Sequence, residues 1–287
     1  MKGLRLSLVV LALALAAAVS AEPVFASAII ARDVSHPALT IDRQGRAHIS
    51  YLRGGHWLTV AAWGATNARR PSRTVPQVEF HIRYGEGGRG ICRPYDGPPL
   101  ALLVKACTAP DGSYWALQAW RRLQPNFGGR SGAVELHLSH WRGPLAQLVI
   151  HQNWAYGGVR HLFGRLTYRG VGVYGFSATP HGNPLDRYGR NVYVDTFDSA
   201  YGKGWHRENS FLTHHRGHTL GDFCYGFYHR AGGHHVGGGT KYRATVVGPG
   251  VTPDVMWQED DIGAFDQAVQ DQMRALERSW GDPKCRV

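Results

Sequence analysis

The chain has 287 residues, with 32 Lys and Arg against 21 Asp and Glu, and a formal net charge of +11 at pH 7. This length suffices for one large domain or two small ones, and the positive charge favours association with anionic polymers or surfaces. The four cysteines have neither zinc-knuckle nor CxxC spacing, so they indicate structural disulfides.

Residues 1–21 have the composition of a secretory signal peptide. Lys2 and Arg5 precede an apolar run at 6–19, and small residues follow as far as Ala21. The run is about 14 residues long, whereas a membrane-spanning helix needs about 20. We predict a secreted, extracellular protein with no integral membrane span after cleavage; an uncleaved anchor is the alternative. Nucleic acid is not an expected partner, because secreted chains rarely meet it and no binding motif is present.

Short alternating segments predict β-strands. The 37 glycines and 15 prolines interrupt the sequence at short intervals, which favours strands and turns over helices. Apolar and polar residues alternate as in half-buried antiparallel strands, in the segments 78–84, 134–139, 223–227 and 242–246. Turn residues predict hairpins at 42–45, 111–112 and 169–170. We therefore predict a mainly β fold of antiparallel sheets, as a sandwich or barrel.

The cysteines allow three disulfide pairings, of which the local one is favoured. Cys92 and Cys107 flank a proline-rich turn, and a disulfide between them would close it. A loop of this size stabilises a protein by about 3 kcal/mol in the chain-entropy model. The second bond would then join Cys224 to Cys285 and tie the C-terminus to a late strand.

A change of composition after residue 151 divides the mature chain into two predicted β units. They cover residues 22–151 and 152–287, and the sequence leaves open whether they share one core. The second unit contains the predicted C-terminal amphipathic helix, at 260–280, where apolar residues recur every three or four positions. Asp260 or Asp261 is expected to cap this helix, which should pack across a sheet.

Aromatic and arginine side chains in glycine-rich surroundings indicate a ligand site. Aromatic rings stack on sugar faces, and guanidinium groups bind carboxylates or phosphates. The loops of 179–210 therefore predict binding of an anionic extracellular or envelope polymer or glycan, which is our first functional hypothesis. The predicted residues are Trp154, Tyr156, Arg187, Tyr188, Tyr201, Trp205 and Arg207.

A secreted hydrolase is the second hypothesis. Asp195 and Glu208 could meet across neighbouring strands as a carboxylate pair, with His206 tuning one of them. The sequence contains no G-x-S-x-G motif to indicate a serine nucleophile. Because nothing in the spacing requires the carboxylate pair, binding is favoured over catalysis. A structural or interaction protein without a small-molecule site is the third hypothesis.

A histidine-rich segment raises the question of a metal site. His214, His215 and His218 are the candidate ligands, since zinc takes three or four such groups. The intervening Arg-Gly pair favours a loop over a helix, and the glutamate of an HExxH motif is absent. We therefore expect neither zinc nor another cofactor.

Overall fold

A computed structural model describes the chain over residues 27–67, 80–121, 133–155, 159–172, 191–212, 222–226, 239–247 and 252–280. Within these ranges the chain forms sixteen β-strands in four sheets and one α-helix. All strand pairings are antiparallel, so the predicted mainly β fold with a C-terminal helix is confirmed. No helix among the described residues has the length and apolar character needed to cross a membrane.

The first eight strands form two sheets. Their bounds are β1 (Ser27–Arg32), β2 (Ser35–Ile41), β3 (Ala47–Arg53), β4 (His56–Gly64), β5 (Phe80–Tyr84), β6 (Leu103–Thr108), β7 (Tyr114–Arg121) and β8 (Val134–Trp141). Sheet I is a meander in the order β2-β3-β4-β5. Sheet II consists of β6, β7 and β8, and β1 adds to its edge beside β8.

The remaining strands form two further sheets and precede the helix. Their bounds are β9 (Gln147–Ala155), β10 (Val159–Tyr168), β11 (Val171–Gly172), β12 (Asn191–Ser199), β13 (Gly202–Leu212), β14 (Asp222–Gly226), β15 (Lys241–Val247) and β16 (Val255–Asp260), with α1 at Gln267–Trp280. In sheet III, β10 pairs with β9 along one edge and with β11 and β14 along the other. Sheet IV has the order β13-β12-β15-β16.

The three predicted hairpin turns are confirmed. They join β2 to β3, β6 to β7, and β10 to β11. Each contains a glycine in the left-handed region, with φ values of 80° at Gly45, 78° at Gly112 and 74° at Gly170. Glycine adopts this conformation without the steric penalty of a Cβ atom. The residues of each turn were therefore sufficient to predict it.

Each pair of sheets encloses its own hydrophobic core. Ile49 and Val60 of sheet I pack in one cluster with Leu117 and Leu138 of sheet II. Sheets III and IV share a second cluster, whose buried members are Ala146, Ile150, Leu162, Leu166, Val192, Val194, Tyr242, Ala244 and Val246. The predicted unit boundary at 151–152 falls inside β9, a strand that belongs wholly to the second pair.

Strand β8 is buried on both faces, which corrects the half-buried strand predicted at 134–139. Leu136 and Leu138 enter the first core as expected. Glu135 and His137, on the opposite face, are only 3% and 1% exposed. The C-terminal half of the chain covers this face, because Oδ2 of Asp254 lies 3.2 Å from Nδ1 of His137.

Helix α1 begins later than predicted, at Gln267. Asp266 caps it, since its Oδ1 accepts hydrogen bonds from the N–H groups of Ala268 (2.8 Å) and Val269 (3.1 Å). Asp260 ends strand β16 instead. Asp261 binds a strand rather than a helix terminus, because Arg160 of β10 donates two hydrogen bonds to its carboxylate, of 2.9 and 2.8 Å.

The two most buried side chains of α1 are polar, whereas an apolar stripe was predicted. Gln270 exchanges two hydrogen bonds with the backbone of Trp154, at 2.9 and 2.7 Å. Glu277 lies with its Oε1 3.8 Å from Nδ1 of His161. Burial raises the pKa of Glu277 to about 7 and lowers that of His161 to about 4. Both groups are therefore neutral between these values, and the helix packs without a buried unpaired charge.

Glu277→Gln should stabilise the protein increasingly as the pH rises. Folding raises the pKa of Glu277 from its usual value of 4.5 to about 7. The contribution of the neutral carboxyl to the stability of the fold is therefore fully present below pH 4.5 and is lost as the pH rises through about 7. The free energy of unfolding of the variant minus that of the wild type should therefore grow by about 3 kcal/mol between pH 4.5 and 8. Urea denaturation at several pH values measures this difference.

The matched control for this prediction is Asp271→Asn, which changes an exposed acidic residue of the same helix. The difference between this variant and the wild type should not show the growth expected for Glu277→Gln, because the substitution removes no buried carboxyl. A pH-independent difference for Glu277→Gln would contradict the proposed cost of ionising the buried carboxyl.

Candidate functional site

Residues 85–91 form a glycine-rich segment, the glycine strap, that crosses the outer face of sheet I. It leaves β5 with an N–H that donates to the carbonyl oxygen of Thr59 on β4 (2.9 Å). It then passes over the ring of His48 on β3 and reaches β2. There Ile91 and Ile41 exchange two backbone hydrogen bonds, of 2.9 and 3.2 Å. The strap thus spans all four strands of the sheet.

Only glycine allows the strap to lie this close to the sheet. A Cβ atom on Gly88 would lie 2.1 Å from the His48 ring, and one on Gly90 would lie 2.3 Å from the carbonyl oxygen of Ile41. Side chains do not approach so closely, so a Cβ atom at Gly90 would displace backbone and one at Gly88 would displace the His48 ring. The sequence analysis missed this segment, although the run Gly-Glu-Gly-Gly-Arg-Gly at 85–90 is its signal.

The carboxylate of Asp42 organises the turn beside the strap. Its Oδ1 accepts hydrogen bonds from the N–H groups of Gln44 and Arg46, both of 2.9 Å. Its Oδ2 accepts one from Nε of Arg46 (2.8 Å) and lies 3.0 Å from Nε2 of His48. Burial alone would raise the pKa of Asp42, but the hydrogen bonds from His48 and Arg46 outweigh burial and lower it. The ionised carboxylate fixes the backbone that carries Arg43.

A disulfide anchors the chain immediately after the strap. Cys92 and Cys107 form the predicted bond, across a sequence separation of 15, and Cys107 is fully buried in the first core. Next to it, the N–H of Thr108 donates to the carbonyl oxygen of Arg93 (3.2 Å). The backbone on both sides of Ile91 is therefore held against sheets I and II.

A pocket of about 290 Å³ lies where the strap meets the turn between β2 and β3, and we call it the arginine pocket. Exposed arginines line it from three segments: Arg43 from the turn, Arg89 from the strap and Arg93 from beyond the disulfide. In the part of the chain that the structure describes, none of the three forms an ion pair. Asp42 also lines the pocket, but Arg46 opposes its charge. The pocket is therefore strongly positive.

The sequence-predicted residues Asp195 and Arg207 form a buried ion pair. Nε of Arg207 donates to Oδ1 of Asp195 (2.9 Å), and Nη2 of Arg243 donates to Oδ2 (2.8 Å). Arg207 is only 2% exposed, and its guanidinium carbon lies 4.1 Å from the ring centroid of Tyr193 and 5.4 Å from that of Trp120. A carboxylate held between two arginines in this way is already paired inside the protein and is closed to a ligand.

Glu208 and His206 lie on the other face of sheet IV from Asp195. Glu208 accepts a 2.6 Å hydrogen bond from Thr196, whose side chain points away from that of Asp195 because neighbours in a strand alternate. His206 is the cross-strand partner of Thr196, and its Nε2 lies 3.1 Å from the carbonyl oxygen of Lys203. The structure therefore does not bring the two proposed catalytic carboxylates together.

The remaining predicted residues divide between described and undescribed parts of the chain. Trp154 is 2% exposed and packs against Phe265, with ring centroids 5.3 Å apart. Trp205 is half-buried under the guanidinium of Arg243, and Tyr201 is also half-buried. Predictions on the following residues lie outside the described residues or side chains: Tyr156, Arg187, Tyr188, His214, His215, His218, Cys224 and Cys285. Where residues are described, no three His, Cys, Asp or Glu side chains are placed to hold a metal.

A buried polar interface between the two sheet pairs also escaped prediction. Nε1 of Trp120 donates to Nε2 of His137 (2.8 Å), whose Nδ1 faces Asp254. The side-chain amide of Gln118 bonds the carbonyl oxygen and the N–H of Asp254, at 3.0 and 3.1 Å. Because these side chains are buried and face one another, they join sheet II to the segment before β16 and are closed to a ligand.

Ser113 and His140 resemble part of a hydrolytic site but are closed to substrate. Oγ of Ser113 lies 2.8 Å from Nε2 of His140 and donates to Oδ1 of Asp111 (2.6 Å). In a catalytic triad the histidine stands between serine and carboxylate, whereas here the serine does. Burial lowers the pKa of His140 to about 4, and Ser113 is fully buried. The group therefore supports the turn between β6 and β7.

Comparison of the chain with protein-family models, curated proteins and solved structures finds no match. Function must therefore be inferred from the chain's own geometry. Of the groups described above, the arginine pocket combines access to solvent with charge and a rigid backbone, which makes it the candidate functional site.

Gly90→Ala should detach the strap, whereas Gly87→Ala should be tolerated. A Cβ atom at Gly90 meets the backbone of Ile41 at 2.3 Å, but one at Gly87 meets the side chain of Thr59 at an ordinary 3.4 Å. We expect Gly90→Ala to lower the free energy of unfolding by about 1–3 kcal/mol, the usual cost of forced overpacking. It should also speed hydrogen exchange of the Ile91 amide. Equal effects of the two substitutions in urea denaturation and exchange would contradict this account.

Proposed function

We propose that the protein is secreted and binds an anionic extracellular or cell-envelope polymer through the arginine pocket. The observation that carries this proposal is the presence of three exposed arginines, without ion-pair partners in the described chain, around one pocket of about 290 Å³. The planar guanidinium fork forms paired, charge-assisted hydrogen bonds with carboxylates and with the oxygens of phosphates and sulfates. Like charges held close together repel, and a bound anion relieves that repulsion.

The rigidity of the pocket supports specific binding over general surface charge. The glycine contacts of the strap, the disulfide and the hydrogen bonds of Asp42 hold the backbone that carries Arg43, Arg89 and Arg93. Such preorganisation reduces the ordering entropy lost when a ligand binds. A cluster of arginines on a loose loop would lack this advantage.

The lining of the pocket favours binding over catalysis. A general base needs an accessible lone pair and a pKa near the working pH. Both oxygens of Asp42 already accept hydrogen bonds, and its pKa is lowered. The hydroxyl of Thr108, which also lines the pocket, donates to the carbonyl oxygen of Pro94 (2.8 Å). Neither side chain is activated for attack or for proton abstraction.

An extracellular location agrees with two independent features. Residues 1–21 have the order of a secretory signal, and Cys92 and Cys107 form a disulfide, a bond that persists in oxidising compartments. Polymers bearing carboxylate, phosphate or sulfate groups are the abundant anions of such surroundings. The net charge of +11, or +9 once Lys2 and Arg5 are removed with residues 1–21, would increase the rate at which the protein meets them.

Binding should depend on each pocket arginine. We would measure dissociation constants for polygalacturonate, dextran sulfate, polyphosphate and polyglutamate at low ionic strength, with neutral dextran as the reference. At least one polyanion should bind, and Arg43→Ala, Arg89→Ala and Arg93→Ala should each weaken it by roughly tenfold to 100-fold, the value of one hydrogen bond to a charged group. Added salt should weaken binding further, because it screens exposed charges.

The matched control is Arg53→Ala, which removes an exposed arginine at the end of β3 that does not line the pocket. It should change affinity by less than about threefold, since it alters only the long-range field. Loss of affinity equal to that of the pocket variants, or no binding of any polyanion, would refute the proposed function.

A further inference from the structure

We infer that the anionic group bound in the arginine pocket is carried on a sugar ring, so that the ligand is an acidic polysaccharide. This inference rests on the proposed function and narrows its ligand. The anionic substituent is a ring carboxylate or a sulfate ester, since both match the arginine fork in the same way. The size of the pocket, its apolar wall and its hydroxyl group each favour a sugar.

The pocket is large for a bare anion. Its volume of about 290 Å³ lies just below the roughly 300–1,000 Å³ typical of small-molecule sites. This is enough for one ring-sized unit with its charged substituent. A phosphate unit of a polyphosphate chain would leave much of the space to water and would contact the arginines alone.

An exposed apolar wall lies among the arginines. Ile91, which lies between Arg89 and Arg93 in the sequence, lines the pocket and is 75% exposed. Pro110 also lines the pocket and is exposed. Covering apolar surface contributes about 25 cal/mol per Å². The C–H face of a sugar ring can cover Ile91 while the acidic substituent reaches a guanidinium. Polyphosphate has no such face, and a flexible polyglutamate side chain loses more rotamer entropy when it is ordered.

The polar groups of the pocket include an acceptor as well as donors. The Thr108 hydroxyl faces two acceptors, the carbonyl oxygen of Pro94 (2.8 Å) and Oδ1 of Asp96 (3.2 Å). Its hydrogen is therefore engaged within the protein, and its oxygen keeps a lone pair to accept a hydrogen bond from a ligand. Ionised phosphates and carboxylates have no hydrogen to donate. A sugar hydroxyl does, so a carboxylated or sulfated sugar satisfies both Thr108 and the arginines.

The four polyanions, compared at equal charge concentration and ionic strength, test this inference. Polygalacturonate or dextran sulfate should bind at least about tenfold more tightly than polyphosphate and polyglutamate, in line with the burial of one apolar side chain. The relative affinities of the two polysaccharides then distinguish a ring carboxylate from a sulfate ester. Equal or tighter binding of polyphosphate or polyglutamate would overturn the inference.

A variant of the apolar wall provides the second measurement. Ile91→Ser should weaken polysaccharide binding by roughly fivefold or more and leave polyphosphate binding within about twofold. Val149→Ser is the matched control, because Val149 is exposed on β9 and does not line the pocket. If Ile91→Ser has no effect, or weakens both ligand types equally, the sugar assignment is wrong. In that case losses caused by the arginine variants would still support anion binding, whereas their absence would refute both proposals.

Discussion

The hydrogen bonds that converge on Asp42 are the interaction on which the candidate site depends. They close the turn between β2 and β3, place Arg43 at the pocket and hold the side chain of His48 beside Asp42. The His48 ring in turn limits how closely the backbone at Gly88 can approach sheet I. The turn held by Asp42 thereby determines the path of the glycine strap, and the path of the strap determines where Arg89 lies.

Charged side chains are arranged differently around Asp195 and around the arginine pocket. The carboxylate of Asp195 is buried between the guanidinium groups of Arg207 and Arg243, and this pairing links three neighbouring strands of sheet IV. Around the arginine pocket, cations stand exposed on a rigid backbone without partners in the described chain. The first arrangement pairs opposite charges within the fold, whereas the second presents positive charge to the solvent.

Errors in the sequence-based predictions share a physical cause. The alternation at 134–139 correctly indicated a strand, but burial of its polar face depends on Asp254, a residue far away in the chain. The start of the helix was misplaced because Asp261 binds Arg160 of a neighbouring strand, a contact that outweighs capping. Similarly, Asp195 was read as a catalytic candidate although two arginines from β13 and β15 enclose it. Each error concerns a partner that sequence position does not reveal.

Local chemistry was sufficient for the mainly β fold, the three hairpin turns, the Cys92–Cys107 disulfide and the presence of a C-terminal helix, although most of strand β13 lies within the predicted loops of 179–210. These features depend on alternation, turn residues and short loops, which act between near neighbours. The arginine pocket was decided only by tertiary structure, because Arg43 and Arg93 come together through a strap that crosses four strands. The glycines of that strap were visible in the sequence, but the surfaces they approach were not. Steric fit between distant segments is a property of the folded chain alone.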